Sequence, residues 1–505
     1  MPDSFGIIDL FAGPGGLGEG VSSLGSAGHA PFRIGISVEK EASAHRTLTL
    51  RAFLREYRTR HDALPAEFID FHAGRTPEPD WAVIDADSWR LATDEARCVA
   101  LGTDAAREAT SAAIDRLHKE FDDTILIGGP PCQAYSLVGR ARARGKRNYV
   151  PEEDERHYLF REYISVLDRL RPAAFVMENV KGMLSSTVES RLVFEMLMED
   201  LASLGSHHGH VYELRAIRLE GGRARLQAVR EPRDFIVRAE DFGVPQRRHR
   251  VIIVGIRSDL ATGAAHASIA ASNRARTVAD AIGSLPRLRS GLSRAADDSE
   301  SWCDTVDAAA RALRAIHGGP EDGAIRDAFS TVVRQMEGAA PPRSSVALPD
   351  GYGASDDALT GWVERRELRA LAQHETRGHM ASDLGRYLFA AVFGKLRGYS
   401  PKADDFPLAL HPDHRNWLSG VFSDRFRVQL ADEAATTVTS HISKDGHYFI
   451  HPDPGQCRSL TVREAARHGN ISQTKRDTRK VRGSRPIPTA ARSGKSAATC
   501  QLRRA

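Results

Sequence analysis

Cys132 stands in GGPPCQAYS, residues 128–136, behind an apolar, strand-like run of Thr124, Ile125, Leu126 and Ile127. Pro130 and Pro131 fix φ and remove two N–H donors, and the glycines and Gln133 disfavour regular structure. The sulfur is therefore expected on a stiff loop at the carboxyl end of a strand, the edge where open α/β sheets bind ligands. That position suits a nucleophile; the alternative is a small buried hydrophobe. Glu178 and Asn179 close a second strand in FVMENV, residues 175–180, where a hydrogen-bonded carboxyl group can protonate a ring nitrogen or merely cap the strand end. Arg248 and Arg250, in PQRRHRVIIVG, are two apart and so share one face of a strand. Beside a cysteine and a glutamate they become candidates for gripping a pyrimidine carbonyl and a flanking phosphate, rather than a plain surface stripe.

A second constellation lies upstream. FGIIDLFAGPGGLGEG, residues 5–20, reads strand, glycine loop, helix, and its Gly13, Gly15 and Gly16 leave room for a nucleotide-like ligand to approach the backbone. One βαβ unit on, Glu39 ends the next strand, where its carboxylate can accept both hydroxyls of a ribose. Asp87, in VIDADSW, is a candidate third-strand acid for an adenine amino group, with a solvated loop aspartate as the alternative. The loop is GxGG rather than GxGxxG and has no spare basic residue for phosphate, so S-adenosyl-L-methionine fits it better than NAD.

The elements that must position these residues follow a doubly wound rhythm. Apolar runs at DDTILIGG, RPAAFVMENV and RHRVIIVGIR alternate with amphipathic stretches, so residues 1–257 are expected to form an α/β, Rossmann-like domain with a mostly parallel sheet. The segment 81–120 reads as an insertion in it. Residues 258–455, rich in Ala, Ser and Arg, read as a smaller, irregular α+β domain with a linker near 338–355. At 505 residues the chain has ample length for two or three such domains without disulfide or metal staples. Its five cysteines are odd in number, scattered and without zinc-ligand spacing, which points to a reducing, cytoplasmic setting. No window approaches the roughly 18 apolar residues of a membrane span, and no basic leader precedes an apolar stretch, so no membrane partner is expected.

Taken in order, DLFAGPGG, GGPPCQAYS, MENV, QRRHR and RSLTVREAAR resemble the DNA cytosine-5 methyltransferase family over residues 5 to about 467. The resemblance implies a cytosine swung out of duplex DNA, with Cys132 adding to carbon 6, Glu178 engaging ring nitrogen 3, and a methyl group passing from S-adenosyl-L-methionine to carbon 5. It implies that Asn179, Arg248 and Arg250 hold the base and loop, while Pro130 and Ser136 shape the nucleophile's turn. Phe11, Gly13, Gly15, Gly16 and Glu39, with Leu159, match its cofactor-binding positions. The stretch 258–455, opening on TVADAIGSLP, becomes a target-recognition domain, and residues 456–467 a return segment. Two rivals remain: a tRNA cytosine-5 methyltransferase with the same machinery, which the long second domain disfavours, and a catalytically inactive DNA-binding protein on this scaffold. A cognate restriction endonuclease is a partner by association only.

The resemblance stops after Arg467. Residues 468–505 carry ten Lys/Arg against one acidic residue, a local excess of nine positive charges. The whole chain has a net of +4, which leaves about −5 on residues 1–467, so any nucleic-acid surface there must be local. Where the family has QxFPD and QVGNAVPP, this chain has a polar basic string, expected to be disordered. Residues 469–474 can be encoded so that a shifted frame reads Gln-His-Phe-Pro-Asp. Residues 494–501 can be encoded so that the same frame reads Gln-Val-Gly-Ser-Asn-Val-Pro. The expectation is a frameshift near residue 467 that impairs the product; the alternative is a genuine basic arm for DNA phosphates.

Overall fold

The computed structural model describes residues 4–24, 31–130, 159–188, 191–208, 212–264, 268–271, 274–316, 323–336, 340–354, 357–414, 417 and 423–469. Cys132, Ser136 and the basic tail beyond Gly469 lie outside them.

The first half is an α/β domain around one ten-stranded sheet. Strands β1 (Phe5–Leu10), β2 (Phe32–Val38), β3 (Ala96–Arg97), β4 (Asp123–Gly128) and β5 (Ala174–Val180) pair in parallel in the order β5-β4-β1-β2-β3. Their unbroken apolar runs are what a sheet covered on both faces requires: Ile7, Ile8, Leu10, Leu126 and Phe175 are fully buried. Beyond β5 the sheet turns antiparallel, through His249–Arg257, Tyr212–Glu220, Arg223–Ala228 and finally Ser268–Ala270. RHRVIIVGIR is thus a strand as expected, but antiparallel to β5. The sheet also extends past the boundary read at residue 257.

Helix α1 (Gly16–Ser22) follows the glycine loop, and α2 (Ala42–His61) follows β2. The short helices α3 (Ala66–His72), α4 (Trp81–Ile84) and α5 (Ala86–Glu95) pack against α2 in an aromatic cluster of Phe53, Phe68, Phe71 and Trp81. Helix α6 (Asp104–Glu120) is the crossover from β3 to β4, and its Ala113, Ile114 and Leu117 lie in the main sheet core. The expectation that 81–120 is an insertion is therefore corrected: it contains an edge strand and a crossover helix of the sheet itself. The added material is the helical layer on α2.

The second half is largely helical. Ser299–Ile316 and Gly323–Met336 pack on the helix Ala381–Arg397, which is buried from Asp383 to Val392. Strands among its described residues are two-residue pairings such as Gly291–Leu292 with Gly378–His379. The stretch expected as a linker is packed in its described part: Tyr352 is buried and Pro342 accepts from the Arg289 amide. Among the described residues, contacts in two regions stand out in tying the halves. Gln246–Arg247 pairs with Ala435–Thr436, and Leu368, fully buried, sits in the aromatic cluster on α2 beside an Arg58–Glu367 ion pair. No helix among the described residues is long and apolar enough to cross a membrane.

Candidate active site

The parallel strands bring two groups of side chains to the same carboxyl edge. At the end of β1 the chain leaves the sheet through Phe11 at φ 57°, Gly13 at φ 58° and Gly15 at φ 81°, a left-handed path that glycine takes without strain. The Ala12 amide donates to Val38 and the Gly15 amide to Ala12, closing a tight turn. Glu39, at the end of β2, accepts from the Gly13 amide at 2.9 Å and from the Glu41 amide at 2.7 Å. The carboxylate is thereby held against the glycine turn, from the strand end at which the sequence reading placed Glu39.

The turn has a filled side and an open one. A Cβ on Gly15 would meet Leu48 Cδ1 at 2.7 Å, whereas a Cβ on Gly13 or Gly16 would meet nothing within 4 Å. Open space beside an acceptor carboxylate suits a ribose-bearing ligand, so these residues fit S-adenosyl-L-methionine. Beneath the turn Asp9 is fully buried. Burial pushes its carboxyl up to about 8, with Glu95 and Glu39 adding to the rise and the Gly18 amide opposing it.

The second group surrounds the start of the cysteine loop. Gly128 is required by close approach, since a Cβ there would lie 2.5 Å from Leu10 O, and Gly129 lies close to the carboxylate, its Cβ position 3.0 Å from Glu178 Oε2. The buried Asn179 donates from Nδ2 to Pro130 O at 3.1 Å, and its Oδ1 accepts from the Val180 amide at 2.9 Å. Glu178 pairs with Arg250, Nε to Oε1 at 2.7 Å. That contact follows from register, since Arg250 lies opposite Val180 on the neighbouring strand and shares a sheet face with Glu178 two residues earlier. Arg248 is exposed and lies just before the strand His249–Arg257, so it does not share a strand face with Arg250 as expected from their spacing. Partial loss of water and the nearby Arg250 push its guanidinium below the ordinary arginine value, and Glu178 opposes them.

The structure therefore brings Phe11, Gly13, Gly15, Gly16 and Glu39 into one turn, and Pro130, Glu178, Asn179, Arg248 and Arg250 around one loop base. Leu159 opens the helix Leu159–Leu170, which is tied to the sheet through Tyr163 Oη donating to Leu126 O and Val176 O. Asp87 is elsewhere than expected. Asp85 caps α5 by accepting from the Ser88 amide, so Asp87 falls in the first helical turn, exposed and paired with Arg60 at 2.9 Å. The third strand begins only at Ala96.

Three residues near these sites escaped the sequence reading. Glu240 Oε1 lies 2.6 Å from His249 Nε2, pinning the residue between Arg248 and Arg250. Arg51, on α2, donates from Nη1 to Gly15 O at 2.7 Å while almost wholly buried. Its signal was present as an arginine between Leu48, Leu50, Ala52 and Phe53, on a face too apolar for solvent.

Comparison with known proteins identifies the family. The family model described as C-5 cytosine-specific DNA methylase matches residues 105–469. The type II methyltransferase M.Bpa9945I of Bacillus paralicheniformis is 29% identical over 488 residues, covering 91% of this chain and 89% of that protein. The DNA (cytosine-5-)-methyltransferase M.ApeKI of Aeropyrum pernix is 33% identical over 148 residues, 28% of this chain and 29% of its own length. The type II methyltransferase M.AquIA of Picosynechococcus is 28% identical over 293 residues, 55% of this chain and 88% of that protein.

Proposed function

Since the chain belongs to the C-5 cytosine-specific DNA methylase family, we propose that it methylates carbon 5 of a cytosine extruded from duplex DNA, using S-adenosyl-L-methionine and a covalent adduct to Cys132. The observation that carries this reading is the ion pair of Glu178 with Arg250 directly against Gly129, with Asn179 holding Pro130 O. Cys132 follows Pro130 by two residues in the sequence, on the loop whose base these contacts hold.

Each residue then has a task. The Cys132 thiolate adds to carbon 6 of the flipped base, and Glu178 donates a proton or hydrogen bond to nitrogen 3, which makes carbon 5 nucleophilic. Arg250 holds Glu178 in place, and Arg248, exposed beside it, meets the base carbonyl or the adjoining phosphate. Phe11, Gly13, Gly15, Gly16 and Glu39 hold the cofactor, which supplies an electrophilic methyl group. After transfer, loss of the carbon 5 proton expels the cysteine. The substrate is double-stranded DNA, read by the second half of the chain, and the type II names of its relatives support a restriction-modification setting.

The test is trapping. Duplex DNA carrying 5-fluorocytosine, with the cofactor present, should form a covalent complex that survives denaturation, and Cys132→Ser should form none. Equal trapping by that variant would refute the assignment.

We further infer that the native C-terminus is displaced by a frameshift near residue 467. The family match ends at residue 469, at the start of the basic string, which supports the reading, and so does the fact that codons can be chosen to give both missing motifs in one shifted frame. A chain restored to that frame should incorporate labelled methyl groups into DNA far faster than the chain as it stands. Coding DNA unable to yield the two motifs would refute the inference.

A further inference from the structure

We infer that Arg51 is a positioning residue of the cofactor turn, holding the Gly15 peptide from behind so that its N–H side faces the ligand space. Helix α2 lays a continuous buried stretch, Thr47 to Leu54, against the back of that turn. Leu48 and Arg51 are three residues apart and so lie on one helix face. Leu48 fills the place of a Gly15 Cβ, and Arg51 Nη1 lies 3.5 Å from that same point.

The Gly15 carbonyl takes two donors, Arg51 Nη1 at 2.7 Å and the Glu19 amide at 3.1 Å, so it is fixed from two elements at once. A trans peptide is planar with its C=O and N–H antiparallel. Anchoring the Gly15 oxygen toward α2 therefore turns the Gly16 N–H away from α2, and a Cβ on Gly13 or Gly16 would meet nothing within 4 Å.

The arrangement is costly for the fold. Arg51 is 4% exposed, and its Nε and Nη2 have no hydrogen-bond partner among the described residues. Burial, opposed by Glu19 and reinforced by Arg55, pushes the guanidinium down to about 10, so it is still charged at neutral pH. A buried cation with unmet donors destabilises relative to an apolar residue of similar shape. Its presence makes sense through what it holds.

The inference rests on the proposed cofactor, so the test reads the turn and the ligand separately. Arg51→Met is compared with the parent by hydrogen exchange without ligand, by thermal melting, and by calorimetric titration with S-adenosyl-L-homocysteine. Exchange over residues 13–19 should quicken about tenfold, one hydrogen bond's worth, with the amides of β5 unchanged and the melting temperature no lower. Affinity should weaken about tenfold, and Arg51→Lys, which keeps one donor, should recover part of it. Unchanged exchange at the turn, or an equal rise in β5, overturns the inference. A parent that binds no ligand counts against the cofactor reading alone, because the exchange comparison still decides the role of Arg51.

Discussion

The two halves of the molecule place their polar side chains in opposite ways. In the α/β half the groups proposed to do chemistry, Glu39, Glu178, Arg248 and Arg250, stand at one edge of the sheet, while the core beneath them is mainly apolar, with Asp9, Arg51 and Glu95 among its buried ionisable groups. In the helical half the charges are inside. Arg458 and Glu464, each 1% exposed, form a two-pronged pair at 2.7 and 2.6 Å, and Arg467 meets Glu364 at 3.0 Å. Tyr387 bridges His379 and His447 through its hydroxyl. Polar residues at a sheet edge are free to serve a substrate, whereas polar residues in a core are committed to holding it in register. The first half should therefore lose activity when its charges are changed, and the second should lose stability.

The largest effect expected is on activity in the first half. Cys132→Ser should lower methyl transfer by on the order of 10^3-fold or more with an unchanged unfolding transition, measured by labelled-methyl incorporation and circular dichroism. In the second half Glu464→Gln strands Arg458 in the core and should cost about 3–5 kcal/mol in urea denaturation, since breaking a buried pair leaves an uncompensated charge. A small loss there would erase the contrast between the halves.

Mild acid should split the halves further. Burial first, with the cations around them, lowers His379 to about 3, and burial lowers His468 to about 4 against the pull of Glu464. Both values lie below that of an unfolded histidine, so the unfolded chain takes up the protons first. Stability is then lost as pH falls from about 6.5 toward 4, by about 1.4 kcal/mol per pH unit for each. Asp9 has the opposite sign. Its folded value lies above the unfolded one, so the folded chain holds the extra proton and gains stability as pH falls from about 8 toward 4. Hydrogen exchange at pH 7 and pH 5 should show protection falling around Tyr387 and rising around β1, and Asp9→Asn should abolish the second change. The smallest effect expected is at Asp87, whose exposed pair with Arg60 lies off the strand edge. Asp87→Asn should alter cofactor affinity by less than about twofold.

Much of the edge was legible because its demands are local. A left-handed turn asks for Gly13 and Gly15, and a strand end for Glu178 and Asn179. What was not legible depends on partners distant in sequence. VIIVG is equally good as a parallel or antiparallel strand, and only its neighbour β5 decides. Asp87 was misplaced because a capping aspartate two residues earlier turns an apparent strand end into a helix. Arg51 could not be assigned because its acceptor is 36 residues away, on a turn that looks complete without it. Cys132 itself is assigned by residue type and loop base, since it lies outside the described residues.

The seat of Leu368 among Phe53, Phe68 and Trp81 bears on how this chain can be divided. A cut near residue 257 would strip that leucine from its aromatic socket and remove Ser268–Ala270 from the sheet margin. The amino-terminal piece would then present bare rings and an unpaired strand to water, both invitations to self-association. The border between the two halves is thus a shared wall rather than a hinge.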